Sequence, residues 1–189
     1  MVGIVKEKKS GSAEEIVEPR YLVVMGVSGT GKTTLAQGLA KRLGWPFQEG
    51  DALHPEANVA KMAAGHPLND EDRAPWLRLC HEWLQKQVQC GKGAILTCSA
   101  LKRHYRALLS EGLPVEFLYL CPDEKVVEDR LLHRVGHYMP PSLLPSQYAT
   151  LEEPGDDEPV IRISSLQGPE ILLENVVESL RNVRHPAVV

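Results

Sequence analysis

Nowhere in this sequence is there a run approaching the roughly 20 apolar residues that a membrane-spanning helix needs. The longest apolar stretch is the short one from Tyr21 to Val27. Residues 1–20 mix Lys6, Lys8 and Lys9 with Glu7, Glu14, Glu15 and Glu18 and hold no apolar core, which argues against a signal peptide and for a flexible leader. Basic excess is also missing. The formal net charge of −4 gives no general electrostatic reason to bind nucleic acid or an anionic membrane surface. Cys80, Cys90, Cys98 and Cys121 contain no C-x-x-C pair and read as reduced thiols, which fits a cytoplasmic setting.

What is present is a chain of 189 residues, 43% of them hydrophobic, enough for one domain with a sizeable core. Apolar runs of strand length alternate with segments of helical period, the pattern of βαβ units and a parallel sheet. The fold class is therefore α/β. Strands are expected at Tyr21–Val27, Trp45–Glu49, Ala94–Cys98, Val115–Cys121 and Val160–Ile163. Helices are expected at Lys32–Leu43, Glu71–Cys90, Ala100–Leu109, Asp123–Arg134 and Pro169–Arg184. From Gly136 to Asp157 the sequence is rich in Pro, Ser and acidic residues, which predicts irregular structure and suggests a mobile lid over about 134–157. Residues 21–189 then form a single domain.

The strongest motif is Gly26-Val27-Ser28-Gly29-Thr30-Gly31-Lys32-Thr33, a full G-x-x-x-x-G-K-S/T match set between an expected strand and an expected helix, with Thr34 next in line. Glycines let backbone N–H groups close around phosphate oxygens, and the helix N-terminus adds the positive end of its dipole. Lys32 supplies a point charge to the terminal phosphates, and the Thr33 hydroxyl is placed to meet Mg²⁺. Such a loop serves kinases, switches and motors alike. No Asn-Lys-x-Asp or Asp-x-x-Gly segment is present, which weakens the GTPase reading.

Around this cradle stand side chains suited to a second substrate. Glu49 and Asp51 follow the second strand at the carboxyl edge of the sheet, where one could hold Mg²⁺ and the other take a hydroxyl proton. Alternatively Asp51 caps a helix and Glu49 is solvated. Arg73 can grip a carboxylate or paired hydroxyls and Trp76 can wall a pocket, or the acidic run Asp70–Asp72 caps a helix and Trp76 is core. Lys102 is either a partner for an anionic substrate or an exposed helix lysine. Arg130 and Arg134 share a helix face at the hinge of the expected lid, where they could close over the transferring phosphoryl group or balance Glu128 and Asp129. His133 and His137 lack a third ligand, so a zinc site is not expected.

Taken together, these residues resemble the gluconokinases of the shikimate-kinase-like and adenylate-kinase-like P-loop group. The resemblance rests on Met25–Thr33, Gly50-Asp51 with His54-Pro55, Lys61-Met62, Pro67–Asp70 with Asp72-Arg73 and Pro75–Leu77, Cys98–Lys102, Gly136-His137, Ser146-Gln147 and Thr150–Glu152. It implies a three-layer P-loop kinase fold with a five-stranded parallel sheet, helices on both faces and a lid. It further implies transfer of the γ-phosphoryl of ATP to the 6-hydroxyl of D-gluconate, with Mg²⁺ as the metal. In that picture Asp51 orients or deprotonates the hydroxyl, and His54, Arg73, Lys102 and His137 hold the polyol and carboxylate. Lys32, Arg130 and Arg134 serve the transfer, and Thr33 and Glu49 serve the metal.

Two departures accompany the resemblance. The family commonly has Asp where this chain has Glu49, and the third strand ends in Cys98 and Ser99 rather than in a Walker B Asp. Related kinases often contact adenine near the segment matching Ser164–Glu170, and members are often dimeric, which makes a homodimer an expectation. Competing readings are a shikimate-type kinase, a nucleoside monophosphate kinase and a nucleotide-dependent binding switch.

Overall fold

A computed structural model of the chain describes residues 18–121, 127, 144–164 and 166–182. Its strands are β1 (Tyr21–Met25), β2 (Phe47–Glu49), β3 (Ala94–Thr97), β4 (Val115–Cys121) and β5 (Val160–Ser164). They form one sheet in the order β2-β3-β1-β4-β5, with every pairing parallel. β1 is buried along its whole length and β4 over six of its seven residues, as expected where both faces of a parallel sheet are covered.

Alternation along the strands divides the core in two. Tyr21, Val23, Met25, Leu96, Phe117 and Tyr119 face α3 (Asp70–Cys90) and α4 (Arg103–Ser110), packing on Trp76, Leu77, Cys80, Leu84, Tyr105 and Leu109. Leu22, Val24, Ile95, Leu118 and Leu120 face the other way, onto Leu35, Ala36 and Leu39 of α1 (Lys32–Leu43) and Leu172, Val176, Val177 and Leu180 of α6 (Pro169–Asn182). The result is the three-layer α/β fold expected from the sequence.

This topology places the site. From β1 the chain passes through α1 to β2 on one flank, whereas from β3 it passes through α4 to β4 on the other. Loops leaving adjacent strands in opposite directions open a crevice at the carboxyl edge, and ligands of such sheets bind there. The P-loop and the Cys98–Lys102 loop are its two lips, linked by the Gly26 N–H donating to the Ser99 carbonyl at 3.3 Å.

Three local differences from the sequence expectation bear on function. The helix expected from Ala100 begins only at Arg103, because Ala100 sits at φ 45° in the left-handed region and turns the chain back toward the site. A short 3₁₀ turn over Gly50–Leu53 and a helix α2 (Glu56–Ala63) fill the crossover after β2. Within the stretch read as irregular, Leu144–Thr150 is a helix, α5. Leu144, Tyr148 and Leu151 pack there with Val27 and Leu101, so tertiary burial overrides the surrounding Pro and Ser.

Residues 152–158 are tied to α4 rather than free. The Arg106 guanidinium, 1% exposed, pairs with Glu158 at 2.6 Å and donates to the carbonyls of Ala100, Leu101 and Glu152. Arg103 pairs with Asp157, and its N–H donates to Glu152. The leader at 1–17, the first part of the expected lid at 134–143, and the candidates Arg130, Arg134 and His137 lie outside the described residues. Of the helix expected at Asp123–Arg134, Val127 is described, helical and buried.

Candidate active site

The P-loop leaves β1 at Met25 and enters α1 at Lys32. Gly26, Gly29 and Gly31 hold φ of 137°, 84° and 96°, a backbone that side chains rarely adopt and that turns successive N–H groups inward. A Cβ at Gly26 would also meet the Leu120 carbonyl at 2.9 Å. Thr30 Oγ1 closes the loop on the Val27 carbonyl at 3.0 Å, and Lys32 Nζ donates to the same oxygen at 2.9 Å.

Two cavities open from this loop. The larger, of about 430 Å³, runs from the P-loop past Glu49 and Asp51 to Gln167, Pro169 and Leu172 at the start of α6. The smaller, of about 50 Å³, is walled by His54, Arg73, Trp76, Ser99 and Gln147 over an apolar floor that includes Met62 and Leu68. Ser28, Lys32 and Asp51 line both. A phosphate-binding chamber and a small polar chamber therefore share one wall, and that wall carries a cation and a carboxylate.

The elements around Asp51 fix its position. Gly50 lies against β3 so closely that a Cβ would meet the Thr97 carbonyl oxygen at 2.0 Å. Its N–H donates to Thr97 Oγ1 at 3.0 Å and its carbonyl accepts from Trp76 Nε1 at 2.7 Å. Glu49, one residue earlier, accepts from Thr33 Oγ1 at 2.8 Å and is hydrogen-bonded to Thr97 Oγ1 through its other oxygen.

His54 stacks on Trp76, with ring centroids 4.1 Å apart and planes 16° from parallel. Burial lowers its pKa to about 4; the Asp51 charge opposes this and Arg73 adds to it. The imidazole is therefore neutral near pH 7. Asn58 Nδ2 lies 3.4 Å from His54 Nδ1 while donating to the Asp72 carbonyl at 2.8 Å, so Nδ1 accepts and Nε2 carries the proton.

Arg73 Nη1 donates to the Tyr105 hydroxyl at 3.2 Å, and its guanidinium lies 5.7 Å from that ring's centre. Lys102 is not part of the cavity wall. Its ammonium bonds both oxygens of Asp70 at 2.8 and 3.0 Å, and lies 5.6 Å from the same Tyr105 ring. Hydrogen bonds from Lys102 and Tyr105 hold Asp70 down to about 2.

Comparison with known proteins agrees with this geometry. The pattern of a family described as an AAA domain matches residues 22–154, from β1 to just past α5. A gluconokinase of Gluconobacter oxydans (strain 621H) is 64% identical over 162 residues, covering 85% of this chain and 91% of its own length. The chain belongs to the gluconokinase family. The crystal structure of a gluconokinase from Sinorhizobium meliloti 1021 superposes with a TM-score of 0.75 at 39% identity, covering 86% of this chain and 91% of that one. An unliganded sugar kinase from Janibacter sp. HTCC2649 gives a TM-score of 0.80 at 50% identity, covering 85% and 93%.

Against this gluconokinase frame, Ser28–Thr34, Glu49, Asp51, His54 and Arg73 line the two cavities, the larger being the donor chamber, with Gly26 and Val27 at the base of the loop. Trp76 satisfies both alternatives open in the sequence, being 2% exposed and also a cavity wall. The sequence assigned no role to Gln147, whose Oε1 accepts from the Ser28 N–H at 2.7 Å, or to Thr97. Gln147 was visible only as part of the Ser146-Gln147 motif. Thr97 gave no signal at all.

Proposed function

We propose that this chain is a gluconokinase, moving the γ-phosphoryl group of ATP onto the 6-hydroxyl of D-gluconate to give 6-phospho-D-gluconate and ADP. The observation carrying this reading is the meeting of the two chambers at Ser28, Lys32 and Asp51. A nucleotide seated on the P-loop presents its terminal phosphate to that wall, and a small polyol in the second chamber presents a hydroxyl to the other side. Phosphoryl transfer asks the protein mainly for position and charge compensation, and both are available here.

Asp51 is the residue for the acceptor hydroxyl. Lining both chambers, its carboxylate would orient the hydroxyl and take its proton. Lys32 neutralises charge on the transferring group. Neutral His54 offers Nε2–H to a sugar hydroxyl, and Arg73, held by Tyr105, offers its remaining N–H groups to the carboxylate or vicinal hydroxyls. Lys102 shares the Tyr105 ring with Arg73 and would meet the acceptor only by leaving Asp70.

Thr33 and Glu49 suit Mg²⁺. They are hard oxygen donors joined at 2.8 Å in the donor chamber, and no group of three His, Cys, Asp or Glu side chains gathers among the described residues to form an all-protein cage. Mg²⁺ usually takes one or two carboxylates and completes its shell with phosphate oxygens and water. Held by Thr33 and Glu49, it would supply positive charge to offset that of the phosphates.

The four cysteines are reduced thiols, which supports a cytoplasmic setting, and no helix among the described residues is long and apolar enough to cross a membrane. Coupled ADP release with Mg²⁺-ATP tests the assignment across gluconate, shikimate, nucleoside monophosphates and no acceptor. Gluconate alone should give strong turnover, with the product carrying phosphate on its terminal primary carbon. Equal turnover with no acceptor would favour a nucleotide switch.

A further inference from the structure

The sheet register sets Glu49 of β2 directly beside Thr97 of β3. The Thr97 side chain, 1% exposed, stands at the carboxyl end of β3. Its hydroxyl accepts from the Gly50 N–H at 3.0 Å. With that lone pair used, its proton goes to Glu49 Oε1, leaving Glu49 Oε2 on the Thr33 hydroxyl at 2.8 Å. The Glu49 carboxylate is thus held from both sides by hydroxyls, one on the P-loop helix and one on the neighbouring strand.

We infer that Thr97 is a positioning residue that aims the Glu49 carboxylate at the P-loop threonine. The inference rests on the proposed metal-side role of Glu49 and adds the reason a glutamate works there. Compared with aspartate, glutamate carries an extra rotatable bond, and a single hydrogen bond to Thr33 would leave the carboxylate free to swing. The second hydroxyl removes that freedom. β3 therefore contributes orientation where it contributes no charge, and β2 contributes the carboxylate. Partners of this kind behind a ligating carboxylate commonly change metal affinity ten- to a hundred-fold when removed.

The test is calorimetric titration of the full chain with ATP at increasing free Mg²⁺ and, separately, with ATP and no divalent cation. Thr97→Val should raise the Mg²⁺ concentration needed for half-maximal enhancement of ATP binding by roughly ten-fold, leave metal-free ATP binding unchanged, and be rescued by Thr97→Ser. In a Glu49→Gln background the same substitution should add little. Equal weakening with and without Mg²⁺ would mean a purely structural Thr97 and overturn the inference. So would a wild-type Mg²⁺ requirement in Thr97→Val alongside a raised one in Glu49→Gln, which would leave the role of Glu49 standing. An unchanged requirement in Glu49→Gln itself would remove that role and the inference with it. Should Thr97→Val fail to fold, Thr97→Ala, which leaves room for water to meet the Gly50 N–H, carries the same prediction.

Discussion

Replacing Gly50 by alanine should damage both stability and catalysis, although its φ is not one that requires glycine. The reason is contact. A Cβ there would lie 2.0 Å from the Thr97 carbonyl oxygen and 3.1 Å from its carbon, and neither atom belongs to a side chain that could turn away. Relief requires β2 and β3 to separate at their carboxyl ends by about 1 Å or more, given ordinary C···O contact near 3.4 Å. That movement breaks the 3.0 Å bond to Thr97 Oγ1 and strains the 2.7 Å bond from Trp76. Overpacking costs about 1–3 kcal/mol and the lost hydrogen bond about 1 kcal/mol, so the sum is roughly 2–4 kcal/mol.

Because Glu49 and Asp51 flank the displaced residue, turnover should fall by about two orders of magnitude, the usual consequence of a 1 Å misplacement. Urea unfolding gives the first quantity and gluconate-dependent ADP release the second. Gly168→Ala is the control, since a Cβ at Gly168 meets nothing within 4 Å. A Gly50→Ala protein with the wild-type midpoint and wild-type turnover would refute the packing argument.

Further outcomes follow from the same geometry. Arg106→Met leaves the Glu158 carboxylate, 10% exposed, without its buried partner and should cost about 3–5 kcal/mol in denaturant unfolding. Because Arg106 holds the Glu158 pKa below its ordinary 4.5, the wild-type pair should also lose its stabilising share as the pH falls below that value. For His54 the folded pKa, about 4, lies beneath the ordinary 6.5, so the stability tied to its neutral form is complete above pH 6.5 and declines as pH drops toward 4. NMR titration should find its imidazole neutral down to about pH 4, and a midpoint near 6.5 would contradict its enclosure. Gln147→Leu removes the acceptor of the Ser28 N–H and should lower turnover while thermal stability barely moves. Turnover equal to wild type would show that bond to be incidental.

The sequence revealed those parts of the fold whose causes lie within a few consecutive residues. The phosphate cradle was legible because its glycines, lysine and threonine act as one contiguous loop. β1 and β4 were legible because burial on both faces writes an unbroken apolar run. α2 escaped notice since Asn58 and Met62 are its only buried residues, too few to mark a helical period. α5 hid among Pro and Ser because its stabilising partners, Val27 and Leu101, lie far away in the chain.

The same distinction separates the site residues. Asp51 and Arg73 stood out through residue type and placement, but the partners that fix the site are remote. Gln147 reaches Ser28 across 119 positions, and Thr97 reaches Gly50 across 47. Lys102 shows the converse: its sequence neighbours suggested a substrate contact, whereas Asp70, 32 positions away, holds it in an ion pair.

In the proposed reaction, donor binding and acceptor activation are separate tasks that meet at Asp51. The most direct test is the Asp51→Asn protein, with Mg²⁺-ATP affinity measured by calorimetry and phosphoryl transfer to gluconate measured in a single turnover. Nucleotide affinity should stay within about two-fold of wild type while the transfer rate falls by roughly 10²–10⁴. A wild-type transfer rate, or a loss of nucleotide affinity as large as the loss of rate, would contradict that separation.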